Sequence, residues 1–279
     1  MKLTLLVENN SLYNTYYIAE HGFSAYMEDA GKKIVYDTGY SDAFIKNAEK
    51  MGIDLTAIDF LILSHGHLDH ACGIRHLVTY YKKKGLTRKP VLMMVSPDAF
   101  LRKYDFELQK DQGMDVDRET LEAFFDVQFV SEPVHLTERL IYLGAVERNN
   151  AFECQTPQKA KQYKDGEWID DFILEDTQLC YKHGDNQVSV ITGCSHNGIC
   201  NIIEYAKKVT GADQVDTVIG GLHLQCPSKP LLDATLGYIR KAGIRTFYPC
   251  HDTDFRSRIA LAEISNVEEA GVSLTLEWD

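Results

Sequence analysis

The sequence predicts an α/β protein, and three observations carry that expectation. Short apolar runs of strand length recur from end to end. Segments with apolar residues at three- and four-residue spacing fall between them. Four of the apolar runs lead into histidine. At 279 residues, with 44% hydrophobic and 25% charged residues, the chain has an ordinary globular composition, and one domain spanning 1–279 is the expectation.

Residues 2–8 read as a first strand. Strands at Phe23 to Glu28 and Lys33 to Asp37 flank Asp29-Ala30-Gly31, which suits a tight hairpin turn. Ser41 is placed to cap a helix whose apolar face is Phe44, Ile45, Ala48 and Met51 and which Gly52 closes. Asp59 to Ser64 is a continuous apolar run, as expected of a strand buried on both faces. Ala71 to Lys84 then has helical spacing and finishes in three lysines before Gly85, a pattern that complements the negative end of a helix.

Further on, a strand is expected at Val91 to Val95, a helix from Pro97, a helix from Asp117 to Phe125, and strands near 127–130 and 139–143. Residues 147–171 are polar and lack a period, so they read as a loop or lid inserted into the domain. A hairpin at 178–183 and 187–192 turns on Gly184-Asp185-Asn186. Three strand-to-turn units follow, ending at His196, His223 and His251, with helices at 197–209, 229–242 and 255–264 and a last strand at Ser273 to Trp278.

The balance of 29 basic and 41 acidic residues, a formal charge of −12, disfavours nucleic acid and anionic membrane as partners, since both are polyanions. The amino terminus, Met1 to Glu8, reads as a strand and not as a signal peptide. No apolar run approaches the ~18–20 residues that a membrane-spanning helix needs. Seven cysteines lie scattered with no Cys-x-x-Cys pair, which points to reduced thiols and a cytoplasmic location.

Chemistry concentrates in His65-Gly66-His67-Leu68-Asp69-His70, where four metal-ligand side chains fall within six residues just beyond a buried strand. Histidines two apart at a strand end can face the same way, while Asp69 and His70 lie past the turn and can face a second ion about 3.5–4 Å from the first. Catalytic sites take three protein ligands per metal, so further ligands are expected from elsewhere. His196, His223 and His251 each follow an apolar strand at its downstream end, where open α/β sheets place their sites.

This pattern resembles the metallo-β-lactamase superfamily. Glu20-His21-Gly22-Phe23-Ser24-Ala25, Thr192-Gly193-Cys194-Ser195-His196 and Gly220-Gly221-Leu222-His223-Leu224 are similar to one branch of it, that of the dihydropterin ribofuranosylaminobenzene-phosphate synthase-like proteins. The resemblance implies a four-layer αββα sandwich. It implies a first metal held by His65, His67 and His196 and a second by Asp69, His70 and His251, with a water between them. Asp37, in Asp37-Thr38-Gly39, would orient a ligand histidine from behind. His223 stands where the wider superfamily has a bridging aspartate, and reads either as a ligand or as a substrate-facing acid/base. Asp252-Thr253-Asp254 replaces the branch's usual Cys-Thr-Gly, and its carboxylates read either as groups that alter metal affinity or substrate preference or as solvated residues starting a helix.

Zinc is the expected metal, with manganese or iron accepting similar ligands. Arg148 is a candidate for gripping a substrate phosphate or carboxylate. Glu8-Asn9-Asn10 could orient a loop at the metal mouth. His21, His76, His135 and His183 read as structural or exposed, and Cys194, Cys226 and Cys250 as small apolar residues near the ligands. The resulting expectation is a metal-dependent hydrolase in which two divalent ions activate water against a small, anionic substrate, with Asp69 and His223 as catalytic residues. The alternatives are pterin-linked group transfer at the same site and a non-catalytic metal- or ligand-binding protein.

Overall fold

The computed structural model describes residues 1–279. The first half of the chain forms β1 (Lys2–Val7), β2 (Ser24–Asp29), β3 (Lys32–Tyr36), α1 (Ala43–Met51), β4 (Phe60–Ile62), α2 (Leu68–Ala71), α3 (Ile74–Lys84) and β5 (Val91–Met94). There follow β6 (Lys103–Asp105), β7 (Lys110–Asp111), α4 (Arg118–Phe124), β8 (Asp126–Phe129), β9 (Val134–His135) and β10 (Leu140–Tyr142). The rest supplies β11 (Lys161–Lys164), β12 (Glu167–Asp170), β13 (Leu179–His183), β14 (Gln187–Thr192), α5 (Ile199–Thr210), β15 (Gln214–Gly220), α6 (Lys229–Ala242), β16 (Thr246–Pro249), α7 (Phe255–Ala262), β17 (Asn266–Val267) and β18 (Thr275–Glu277).

Two seven-stranded sheets result, ordered β18-β1-β2-β3-β4-β5-β8 and β17-β16-β15-β14-β13-β10-β9. The period-two rule of a strand decides which side chains go where. In β3, Ile34 and Tyr36 enter the core between the sheets, while Val35 joins Phe44 and Ala48 of α1 and Tyr81 of α3 on the outer face. In β14, Ile191 faces the other sheet, and Val188 and Val190 pack outward on Ile199, Ile202 and Ile203 of α5. Helix, sheet, sheet and helix therefore stack with a core in each of the three gaps, which is the four-layer αββα arrangement.

Parallel pairing sets the position of the site. In the first sheet β3, β4, β5 and β8 run parallel, and in the second β14, β15, β16 and β17 do. Their carboxyl ends carry Asp37 after β3, the histidine turn after β4, and His196, His223 and His251 after β14, β15 and β16. Five separate stretches of sequence thus meet along one edge of the sandwich.

Several local expectations shift. Ala30 and Gly31 make the β2–β3 turn with φ of 47° and 76°, the paired positive values of the tightest hairpin turn. Asp42, not Ser41, holds the N-cap position of α1, although the Ser41 hydroxyl accepts a hydrogen bond from the Ala43 amide. Pro97 opens only a single 3₁₀ turn, Pro97–Phe100, because the chain must return at once to β6.

The largest difference lies in residues 147–171, which sequence reads as irregular. They contain the β11–β12 hairpin, which joins β6 and β7 in a four-stranded accessory sheet, with Lys161 opposite Tyr104. Local periodicity could not show this, because both partners are short and lie some 60 residues apart. The fully buried Lys103 ammonium bonds to Asp171 (2.5 Å) and Glu175 (2.9 Å), bolting the insertion down. Removing one partner of such a buried set typically costs about 3–5 kcal/mol. Just beyond β7, Gln112 accepts from the Leu68 amide and the Met114 amide donates to Gly66, so this extra layer also braces the histidine turn.

Candidate metal centre

β4 delivers Ser64 and His65 to the sheet edge, and the chain then turns through Gly66 into α2, with His67 at its N-cap position. Gly66 packs so closely that a Cβ there would lie 2.2 Å from the Ala99 carbonyl oxygen. The turn brings His65 Nε2 to 3.0 Å from His67 Nδ1, and β14 brings His196 Nε2 to 3.2 Å from His65 Nε2. The edge of a tetrahedron with metal–nitrogen bonds of about 2.0–2.1 Å is about 3.3–3.4 Å, so this spacing fits three ligands of one ion. Burial lowers the pKa of all three imidazoles, that of His67 to about 3, which keeps their lone pairs free for a cation.

A second group lies beside it. Asp69 Oδ2 is 3.1 Å from His251 Nε2, and the His70 and His251 rings lie 5.0 Å apart. His70 Nε2 is buried with no hydrogen-bond partner, an orphaned atom of the kind that a metal ion satisfies. Burial works against ionising Asp69, but His70 and hydrogen bonds from His21 and His251 outweigh it and hold the carboxyl well below its usual range. Burial likewise opposes charge on His70, yet Asp37 and Asp69 win and raise it to about 9. Such a concentration of negative charge is where a cation belongs.

Each supporting residue ties one ring nitrogen and aims the other. Asp37 Oδ2 lies 2.8 Å from His70 Nδ1, and its carboxylate also accepts from the Ser64 amide (2.7 Å) and hydroxyl (2.7 Å). Ser64 Oγ in turn meets His65 Nδ1 at 2.9 Å, and Asn9 Oδ1 meets His251 Nδ1 at 3.1 Å. Partners of this kind fix the tautomer and aim of a ligating histidine. The support requires a close approach of the two sheets: a Cβ on Gly193 would fall 2.6 Å from both Asp37 Oδ2 and Ser64 Oγ. Asp37, Ser195, His223 and Asp252 all hold φ between 52° and 64°, a left-handed conformation that typically costs of order 1–3 kcal/mol for a non-glycine residue.

His223 is half-buried, with its ring 4.5 Å from that of His196. Its Nδ1 lies 2.6 Å from Asp252 Oδ2, and its Nε2 lies 3.3 Å from Gln158 Nε2. Asp252 is therefore no solvated helix-starting residue. Burial opposes its charge, but the His223 contact carries its pKa down to about 2. Asp254 does cap α7, accepting from the Ser257 amide.

Arg148 lines the space beside the centre, where its Nε donates to Asn197 Oδ1 and its Nη2 to the Phe172 and Ile173 carbonyls. His21 is mostly exposed, yet its Nε2 is 3.3 Å from Asp69 Oδ2. Cys194 Sγ comes within 4.8 Å of ligand nitrogens of His70 and His251. Cys250 lies in the core between the sheets and Cys226 is exposed. His76 receives a bond from Arg75, His183 pairs with Ser189, and His135 is exposed on β9.

Two neighbours of the centre were not visible in the sequence. Asp176 is fully buried, with Oδ1 3.8 Å from His65 Nδ1, and Asn197 bonds to it through its amide and side chain. Asn197 carried a faint signal because it directly follows His196, whereas Asp176 sits in an irregular stretch with none.

Comparison with known proteins agrees with this architecture. Residues 18–141 match the family model of the metallo-beta-lactamase superfamily. A solved structure, described as a metal-dependent hydrolase of the beta-lactamase superfamily, superposes with a TM-score of 0.82 at 26% identity over 100% of this chain and 99% of its own. The chain thus has the metallo-β-lactamase fold, and the likeness to that superfamily read from its histidine motif holds. An uncharacterised protein of Methanocaldococcus jannaschii is 29% identical over 95% of both chains. The 7,8-dihydropterin-6-methyl-4-(beta-D-ribofuranosyl)-aminobenzene-5'-phosphate synthase of the same organism is 25% identical over 92% of this chain and 89% of its own.

Proposed function

We propose that this chain is a metal-dependent hydrolase with a dinuclear centre that acts on a small, anionic substrate bearing a phosphate or a carboxylate group. The supporting observation is a pair of adjoining ligand groups: three mutually facing imidazole nitrogens, and beside them His251, which faces Asp69 on one side and His70 on the other. His65, His67 and His196 would hold one divalent ion and Asp69, His70 and His251 the other, zinc being the metal that imidazole-rich sites suit, with manganese or iron as alternatives. Ions bound there supply two things, polarisation of a carbonyl or phosphoryl oxygen and water activated near neutral pH.

The chain's own residues do the rest. Asp69 would help hold the second ion and would accept a hydrogen bond from a water beside it at the edge of the cleft. Asp252 fixes the His223 ring through Nδ1, and Nε2, which meets Gln158 at the cleft, would exchange that partner for a substrate oxygen at which it holds or moves a proton. Asp37 and Asn9 keep their histidines aimed. Arg148 ties Asn197, beside His196, to the Phe172–Ile173 backbone that follows the insertion. The whole of 1–279 acts as one domain, and the free state of all seven cysteines suits a reducing cytoplasm. No helix is long and apolar enough to cross a membrane.

Metal analysis of His67→Ala tests this reading. The wild type should carry two ions per chain, and the variant should lose one or both together with hydrolysis of model phosphodiesters; full retention of metal with intact turnover would sink it. The similarity to the Methanocaldococcus synthase favours a second reading, in which the same residues would hold a pterin diphosphate while an aryl carbon displaces its diphosphate and gives up a proton. Incubation with both substrates separates the two, since a coupled product requires transfer and release to water alone rejects it.

A further inference from the structure

Beside the metal cleft lies a second cavity, a chamber of about 590 Å³ including its open mouth, walled by the inserted segment and by the starts of α5 and α6. His196, His223 and Gln158 line both spaces. The two therefore adjoin at the Gln158–His223 pair, past which a molecule whose reacting group sits at the metals would extend its remainder into the chamber. Phe172, Ile199, Leu222, Leu224 and Leu231 give the chamber an apolar surface. Thr156 adds a polar atom, and Thr235, fully buried, presents a hydroxyl with no hydrogen-bond partner.

The electrostatics of the wall define what fits. A helix start is an anion site, because its first amides point outward unpaired. At α5 that position is already filled from within: Glu153 Oε1 accepts from the Cys200 amide (3.0 Å), and its Oε2 accepts from the Asn201 amide (3.0 Å) and from Asn150 Nδ2 (2.6 Å). Gly198 makes room for it, since at φ +84° it carries no side chain and a Cβ there would meet the carboxylate at 2.4 Å. The one cation on the wall, Arg148, directs Nε to Asn197 and Nη2 to the Phe172 and Ile173 carbonyls just beyond the insertion, and its single charge is matched on the same wall by that of Glu153. A second anionic group entering the chamber would meet the Glu153 charge where it would otherwise find free amides.

From this we infer that the chamber is the specificity subsite of the enzyme and takes a neutral, ring-sized, largely apolar group. The substrate then has a single anionic centre, at the metals, and an uncharged organic remainder with one hydrogen-bonding atom for Thr235. This rests on the hydrolase reading above, because that reading puts the anionic group in the cleft. It goes beyond it in stating the class of the non-reacting part and in naming Leu231, Phe172 and Glu153 as determinants of selectivity.

Calorimetric binding of three phosphonates to the zinc-loaded protein tests it without any turnover. Phenylphosphonate should bind about tenfold more tightly than methylphosphonate, the scale set by burying a ring instead of a methyl group. 4-Phosphonobenzoate, which carries a second anion, should lose that advantage. Leu231→Trp, which fills the chamber from the half-buried first turn of α6, should bring the phenyl-to-methyl ratio close to one. Equal binding of the first two ligands, or undiminished binding of the third, overturns the inference, and the wild-type ratios decide it should Leu231→Trp fail to fold. Hydrolysis of phenyl 4-nitrophenyl phosphate is measured alongside. A phenyl preference without turnover rejects the hydrolytic reading and leaves the chamber standing, while turnover without preference does the reverse.

Discussion

The two halves of the chain build the centre in different ways. The first half supplies four of the proposed ligands from a single turn of six residues, His65 to His70, braced from behind by the Asp37 carboxylate. The second half supplies one histidine from each of three parallel strands, and two of them have a partner of their own: His251 has Asn9 and His223 has Asp252, while His196 Nδ1 is buried without one. One half concentrates its support and the other distributes it. Loss of a support should therefore spread across both metals in the first case and stay local in the second.

The largest expected effect comes from the ligands themselves. His65→Ala removes the residue that faces both His67 and His196, and should abolish the first metal and lower kcat/KM by at least about 10³-fold, the scale of losing a catalytic unit. His251→Ala should remove the second metal alone and leave one ion per chain. Inductively coupled plasma analysis of both variants reads this directly. Loss of both ions from His251→Ala would break the contrast between the halves.

Next in size is Asp37→Asn. This carboxylate serves Ser64 and, through it, His65, while also meeting His70, so both metals should weaken by about 10–100-fold, as measured for residues that position ligands. Competition with a chelating dye gives the two affinities separately. Asn9→Ala, the distributed counterpart, should weaken only the second metal, by about tenfold. A loss at both sites would mean that Asn9 organises more than His251.

This contrast also accounts for what the sequence made legible. The six-residue turn announces itself because its ligands are adjacent, and the strand ends carrying His196, His223 and His251 were readable because an apolar run leading into histidine is a local pattern. Asp37 came through the resemblance. What stayed hidden depends on pairing across the fold. The bond from Asn9 to His251 spans 242 residues, and Asp176 reaches His65 from a stretch without any period. Asp252 read as a solvated acid because nothing local reveals that the β15 and β16 ends bring it to His223. The β11–β12 hairpin looked like a loop for the same reason: its partner β6 is three residues long and belongs to another part of the chain.

The smallest effect expected is a control within the second half. His183 on β13 lies away from the centre, paired with Ser189 and beside Tyr181 and Trp278. Burial lowers its pKa below 6.5, so the folded state binds fewer protons there than the unfolded chain. Stability from this residue is full above the unfolded value and is lost as pH falls below about 6.5 toward the lowered folded value. The melting temperature of the wild type should therefore drop by roughly 1–2 °C more than that of His183→Gln between pH 7 and 5.5, the half-exposed ring limiting the size. That difference should be the same with and without metal. If loading with zinc changes it, β13 is coupled to the centre, and the support in the second half is less local than its separate histidine partners imply.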